Sequence, residues 1–399
     1  MTSVGRAGPP ADGRAEQVVA TYRFRGASAT DVRAAAEAFA IGQTVGTWVP
    51  LPGLTPELMA RHGAHIVEIS SAEGDAVDAA IAFPAANFED GGFPMLLTTL
   101  LGNDPSTGIA ATLVELTLPD SYVTRFPGPR LGIDGWRERL GVHGRPLLLN
   151  PMKPCTGLSP DATARIAADV ARGGVDLVKD DEVLADASFS RIAERCRAVR
   201  RALDAVAAET GHRARYVVSI TDRAKRVREH VHAAVENGAD GVLVAVLTTG
   251  LDTLQEVAEM LDGRLPVMAH NAGLDLFGGS GGRDGLGVAP EVLVGRLARL
   301  AGADSVHVTT PWAHLPTPEP LFRRIVERLR DGWSGLAPSF PVVGGGMVAA
   351  QLPDVIRLVG PDCILSVGGA INGHPAGATV GAREMMAALV EAVASAATP

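Results

Sequence analysis

Two rhythms of apolar and polar positions divide the chain. In the first part, β-prone runs and helical stretches follow one another irregularly. Val18–Phe24, His65–Ser70, Ala76–Phe83 and Thr112–Leu118 read as strands, each bounded by turn-forming residues. Thr44–Val49 is β-prone as well and ends at Pro50. The spacing predicts helices over Val32–Ala40, with Asp31 as its cap, over Pro56–Arg61, and over Phe93–Leu101, which stops at Gly102-Asn103-Asp104-Pro105. This β-α-β-β-α-β order predicts a ferredoxin-like α+β domain over residues 16–135, behind a flexible Gly/Pro/Ala-rich tail at 1–15.

From about residue 140 the rhythm becomes regular. Apolar runs at Pro146–Met152, Val175–Lys179, Tyr216–Thr221, Gly241–Leu247, Pro266–His270, Ser305–Thr309, Phe340–Val343 and Cys363–Val367 alternate with amphipathic helical patterns. Strands this apolar are buried on both faces, which is the mark of a parallel sheet covered by helices. Eight such units in about 260 residues match a (β/α)8 TIM barrel over 136–399. A doubly wound open sheet would need fewer strands and a phosphate-binding Gly turn after the first; the first strand here ends in Lys153-Pro154.

In such a barrel, chemistry sits where strands run into the following helices. Those ends carry Lys153, then Lys179, Asp181 and Glu182, then His270 and Asn271, then His307 and Thr309, and finally the glycine runs Gly344-Gly345-Gly346 and Gly368-Gly369. One buried histidine is ordinary packing, and Lys-Asp-Asp-Glu alone is ordinary solvated turn sequence. Ionisable groups at four of eight strand ends are neither. Strand alternation puts Lys179 and Asp181 on one face, and Glu182 joins them if the chain bends after Asp181. Two carboxylates hold Mg²⁺ weakly, and an ammonium is no ligand. Carbamylated by CO2, Lys179 would become a third anionic ligand beside Asp181 and Glu182, and the metal would stabilise an enolate. Lys153, near that cation, would have a lowered pKa and act as general acid or base. Glycines after the last two strands offer bare N–H groups to a phosphate.

Composition narrows the partners. A net charge of -9 argues against a nucleic-acid surface, and no apolar run is long enough for a membrane span. The first residues lack the pattern of a secretion signal. Cys155, Cys196 and Cys363 are few, odd in number and scattered, as expected of a reducing, cytoplasmic compartment.

Gly173-Gly174-Val175-Asp176-Leu177-Val178-Lys179-Asp180-Asp181-Glu182 closely resembles the carbamylation motif of the RuBisCO large subunit. Also similar are Lys153-Pro154 with Gly157-Leu158-Ser159, Gly46-Thr47-Trp48, Leu101-Gly102-Asn103, and Gly368-Gly369 with Gly373-His374-Pro375. The resemblance spans about 20 to 390. It implies one Mg²⁺ on carbamylated Lys179, Asp181 and Glu182. It also implies catalytic Lys153, His270 and His307, and a phosphate site of Thr47, Trp48, Gly345, Gly346, Gly368 and Gly369. The implied assembly is a head-to-tail homodimer, alone or in a larger oligomer, in which Thr47, Trp48 and Asn103 complete the partner's active site.

The departures define the kind of member. Where the family's carboxylases have a second lysine this chain has Cys155, and where they have an arginine after the strand-five histidine it has Asn271. A further histidine of that segment is replaced by Leu274, the run Thr309–Leu315 holds no mobile-loop lysine, and a glutamate is replaced by Gly42. The chain is therefore similar to the non-carboxylating RuBisCO-like proteins, form IV. Loss of the arginine points to a substrate with a single phosphate. The enolase branch has a lysine where this chain has Asn103, so the reading leans toward a decarboxylase of a 3-oxo-isoapionate-4-phosphate type substrate. The alternatives are 5-methylthioribulose-1-phosphate isomerase and 2,3-diketo-5-methylthiopentyl-1-phosphate enolase. A non-catalytic binding protein and an unrelated barrel enzyme complete the range.

Overall fold

The computed structural model describes residues 16–46, 51–88, 90–102, 111–274, 287–314 and 316–396. The chain folds as two compact units, Met1–Phe126 with Leu274–Arg296, and Pro127–Gly273 with Leu297–Pro399.

The first unit is built on strands β1 (Gln17–Arg25), β2 (His65–Ser71), β3 (Ala76–Pro84) and β4 (Ala111–Thr117). They lie in the order β4-β1-β3-β2 with antiparallel pairing throughout, the ferredoxin-like arrangement. Alternation along β1 buries Val18, Ala20, Tyr22 and Phe24, and Tyr22 meets Phe39 of the helix Ala29–Gly42 edge-on at 5.2 Å. Two expectations are corrected. The helix cap is Ser28, whose side chain accepts from the Asp31 N–H, because the helix starts a turn earlier and leaves Asp31 inside its first turn. Thr44–Gly46 is a turn rather than strand, with Thr44 bonded back to Ala40; residues 47–49 of that run lie outside the described residues.

The second unit is a closed barrel of eight parallel strands. These are β5 (Leu147–Pro151), β6 (Leu177–Lys179), β7 (Arg215–Ser219), β8 (Gly241–Ala245), β9 (Val267–His270), β11 (Ser305–Thr309), β12 (Phe340–Gly344) and β13 (Ile364–Ser366). All eight expected strands are present. The tenth in sequence, β10 (Gly287–Val288), was not expected, and pairs in parallel with β4 of the first unit. Two-residue strands have no periodicity to read, so their partner alone defines them. This pairing is why 274–296 belongs with the first unit and not with the barrel domain expected over 136–399.

The first boundary also falls earlier than the expected 135/136. The helix Gly132–Leu140 belongs to the barrel, because its Ile133 and Trp136 enter the barrel's apolar interior with Leu147, Leu149, Leu177, Val217, Leu243, Met268, Phe340, Val342 and Ile364. Its entry is held by Asp304, which accepts from the N–H groups of Leu131 and Gly132 at 2.7 and 2.8 Å. A barrel whose lower interior is packed with hydrocarbon can place polar side chains only in its upper layer, toward the strand C-termini. Among the described residues no helix is long and apolar enough to cross a membrane.

Trp136 is 1% exposed and sits at the centre of this plug. Trp136→Ala should cost about 3–5 kcal/mol of unfolding free energy, read from the shift in a urea denaturation curve.

Candidate active site

Strands β5, β6, β9, β12 and β13 spend their first inward positions on the apolar interior and their last on a cleft. Along β6 and the residues after it, Leu177 lies in the hydrocarbon layer, while Lys179 and Asp181 line the cleft. Met268 gives way to His270 in β9, Val342 to Gly344 in β12, and Ile364 to Ser366 in β13. The cleft measures about 310 Å³ and is lined by Lys153, Lys179, Asp181, Glu182, His270, Asn271, His307, Thr309 and the glycines 344–346, 368 and 369. Every expected site residue of the barrel therefore falls on one concavity. Thr47, Trp48 and Asn103 lie outside the described residues.

The bend needed to recruit Glu182 is present. β6 ends at Lys179, and the chain turns with the Leu184 N–H bonded to the Asp181 carbonyl at 3.1 Å. Glu182 Oε2 then lies 3.5 Å from Lys179 Nζ and 3.3 Å from His270 Nε2. Lys179 is 1% exposed, and its amine donates to the Asp180 carbonyl at 3.0 Å. Burial pulls its pKa below the ordinary lysine range despite the carboxylates of Glu182 and Asp181. That raises the share of neutral, nucleophilic amine.

Lys153 Nζ donates to Asp181 Oδ2 at 2.5 Å and to Cys155 Sγ at 3.1 Å. Burial works to lower its pKa, but these two partners outweigh it and the net shift is upward. The lowering expected of Lys153 is that of a lysine beside a cation; among the protein's own groups its nearest charge is the Asp181 carboxylate, which acts the other way. Asp181 is held below the usual carboxylate range: burial opposes this, and the bond from Lys153 overrides it.

The two imidazoles are uncharged. Burial, then the nearby Lys179, push His270 down to about 4. His307 lies well below its ordinary value through burial and then the adjacent His270. The rings meet at a tilt of 46° with centroids 4.4 Å apart. The Ala272 N–H is bonded to His270 Nδ1 at 3.2 Å, so the proton of neutral His270 sits on Nε2, which lies 3.3 Å from Glu182 Oε2. His307 Nε2 is buried and has no hydrogen-bond partner among the described residues, a polar atom held in the cleft wall.

The carboxylate between the two cleft-facing residues does something else. Asp180 points out of the barrel into the helix layer, where Arg195 Nε, the Tyr216 hydroxyl and the Ser219 N–H all bond to its carboxylate, at 3.0, 2.7 and 3.1 Å. Sequence reading missed this division of labour, although the alternation that reveals it was already in use. It also missed Ser366, which the same alternation places inward, and the Asn271–Thr309 bond of 3.4 Å, which has no sequence signal.

Whether these groups fit a divalent cation can be asked of the donors themselves. Among the described residues no group of three His, Cys, Asp or Glu side chains is placed to hold a metal. Asp181 and Glu182 are two oxygen donors, and the remaining neighbour is the low-pKa Lys179. The set fits a hard cation once Lys179 carries a carboxylate of its own.

Residues 132–398 match the family model for the ribulose bisphosphate carboxylase large chain, catalytic domain, and residues 11–122 that for its N-terminal domain. A ribulose bisphosphate carboxylase-like protein of Archaeoglobus fulgidus is 35% identical over 385 residues, covering 94% of this chain and 87% of that one. A 2,3-diketo-5-methylthiopentyl-1-phosphate enolase of Geobacillus kaustophilus is 37% identical over 384 residues, covering 93% and 91%. The crystal structure of an octameric ribulose-1,5-bisphosphate carboxylase/oxygenase from Pyrococcus horikoshii, with sulfate, is similar at a TM-score of 0.86 and 31% identity, covering 95% and 89%.

The glycine turn after β12 is sterically committed. Gly345 has φ +110°, and a Cβ there would stand 2.9 Å from the Ala313 Cβ and 3.3 Å from Thr309 Cγ2. Gly345→Ala should cost about 1–3 kcal/mol in stability through strain and weaken inorganic phosphate binding, measured by thermal denaturation and calorimetric titration.

Proposed function

The chain belongs to the RuBisCO large-chain family as a RuBisCO-like, non-carboxylating member, and from that premise we propose an enolising activity on a singly phosphorylated keto compound. The observation that carries it is the convergence of Lys179, Asp181, Glu182 and Lys153 on one cleft walled by glycine turns. Carbamylated Lys179, Asp181 and Glu182 would hold Mg²⁺, which supplies positive charge against the developing enolate of the substrate ketone. The chain's own residues do the rest. Lys153, aimed into the cleft, gives a proton to the reacting carbon or oxygen as the ammonium and takes one from carbon as the neutral amine. His307 Nε2 offers an unused hydrogen bond to a substrate oxygen. Backbone N–H groups at Gly345, Gly346, Gly368 and Gly369 take the phosphate.

The preferred substrate is of the 2,3-diketo-5-methylthiopentyl-1-phosphate type, supported by 37% identity to an enolase of that name over nearly the whole chain. This displaces the decarboxylase of a 3-oxo-isoapionate-4-phosphate type as first choice. The decarboxylase stands as the second reading, favoured by the upward shift of Lys153, which suits it to protonate an enediolate left by loss of CO2. The reading includes a homodimer, or an assembly of dimers, in which Thr47, Trp48 and Asn103 complete the partner's cleft; the octameric relative supports assembly. It also includes a cytoplasmic setting, supported by three free cysteines.

Two outcomes are expected. Bicarbonate should be needed for tight Mg²⁺ binding in calorimetry, and Lys179→Ala should abolish both the requirement and turnover; full turnover in Lys179→Ala would sink the carbamate. In D2O, the preferred monophosphate should gain deuterium at the carbon next to its ketone, and Lys153→Met should slow that exchange by about 10²–10⁴-fold. A bisphosphate analogue binding as tightly as the monophosphate would refute the single-phosphate cleft.

A further inference from the structure

Not all of the buried charge in the barrel wall faces the cleft. Asp180 is 1% exposed, and both it and Arg195 have fully buried side chains in the layer between strands and helices. A carboxylate and a guanidinium there are expensive, and hydrocarbon would pack as well or better. Val178, one outward position earlier on the same strand, shows the ordinary choice. The pair is also tied in further than stability needs. Arg195 Nη1 donates to the Ser190 carbonyl at 2.5 Å, anchoring the turn that leads from Glu182 into the helix Ile192–Thr210. Tyr216 and Ser219, both on β7, close the carboxylate from the other side.

Asp180 is thereby immobilised by its side chain, by its N–H on the Val217 carbonyl at 3.1 Å, and by its carbonyl, which accepts from Lys179 Nζ at 3.0 Å. Its two sequence neighbours face the cleft. Any rotation of the Asp180 peptide would swing the Lys179 amine and the Asp181 carboxylate apart.

We propose that Asp180, Arg195 and Tyr216 are positioning residues: an outward-facing clamp that sets the spacing of Lys179 and Asp181 and so determines how readily Lys179 is carbamylated and Mg²⁺ is held. The inference rests on the carbamate reading above. Outer partners of metal ligands typically change affinity by about 10–100-fold when removed, and a clamp of this kind belongs in that range.

The same strand supplies its own control. At its other end Asp176, equally buried, is paired with Arg145 at 2.7 Å, remote from the cleft. The experiment titrates Mg²⁺ calorimetrically into full-length protein with and without bicarbonate, and follows the Lys179 carbamate by NMR with 13C-bicarbonate. In Tyr216→Phe and Asp180→Asn the Mg²⁺ midpoint at saturating bicarbonate should rise about tenfold or more, and the carbamate signal at fixed bicarbonate should fall. In Asp176→Asn the melting temperature should drop while midpoint and carbamate signal stay at wild-type values. Tyr216→Phe removes one hydroxyl and keeps the ring, so it carries the test should Asp180→Asn fail to fold. Unchanged midpoint and carbamate signal in folded Tyr216→Phe would overturn the clamp, as would an equal change in Asp176→Asn. Wild-type protein binding Mg²⁺ without regard to bicarbonate would overturn the carbamate reading and the clamp with it.

Discussion

Consecutive side chains on a strand must point to opposite faces, and that constraint organises the end of β6. Four charged residues follow one another from Lys179 to Glu182. No barrel could bury all four on one side without unpaired charge. Alternation separates them into an inward group, Lys179 and Asp181, and an outward one, Asp180, each with its own partners. Glu182 rejoins the inward group only because the strand stops and the chain turns. The cleft is thus assembled from one short sequence by geometry that any strand obeys.

The same rule explains what was legible in the sequence. Eight apolar runs at regular spacing specify a barrel, and the residues at their ends specify its cleft. Lys153, Lys179, His270, His307 and the glycine turns are all there. The helix Gly132–Leu140 was not legible, because its mean character is polar and only Ile133 and Trp136 enter the interior. β10 was not legible because two residues have no period. The helix cap was misassigned to Asp31 when Ser28 lay three residues earlier, since both are good caps and Asp31 also suits the first turn. The bond from Lys153 to Asp181 was not legible, because the spacing of residues 153 and 181 does not show which partner the amine takes.

Electrostatically the cleft is more selective than its list of ionisable groups suggests. Burial holds both histidines neutral and lowers Lys179, so the wall near His270 and His307 offers hydrogen bonds and little charge. Lys153 is the cation retained, and it is already committed to Asp181. The glycine turns add backbone to the same cleft, and Asn271, bonded to Thr309, adds a neutral amide.

What the chain lacks is then of one kind. Cys155, Asn271 and Gly42 each stand where the carboxylase pattern has a lysine, an arginine or a glutamate. What it keeps, Lys179, Asp181, Glu182 and Lys153, lies on or beside β6, tied to the buried Asp180. Under the proposed carbamate reading a single outward clamp would serve this set, because its three ligands would come from one stretch of backbone, whereas ligands drawn from separate strands would need separate supports.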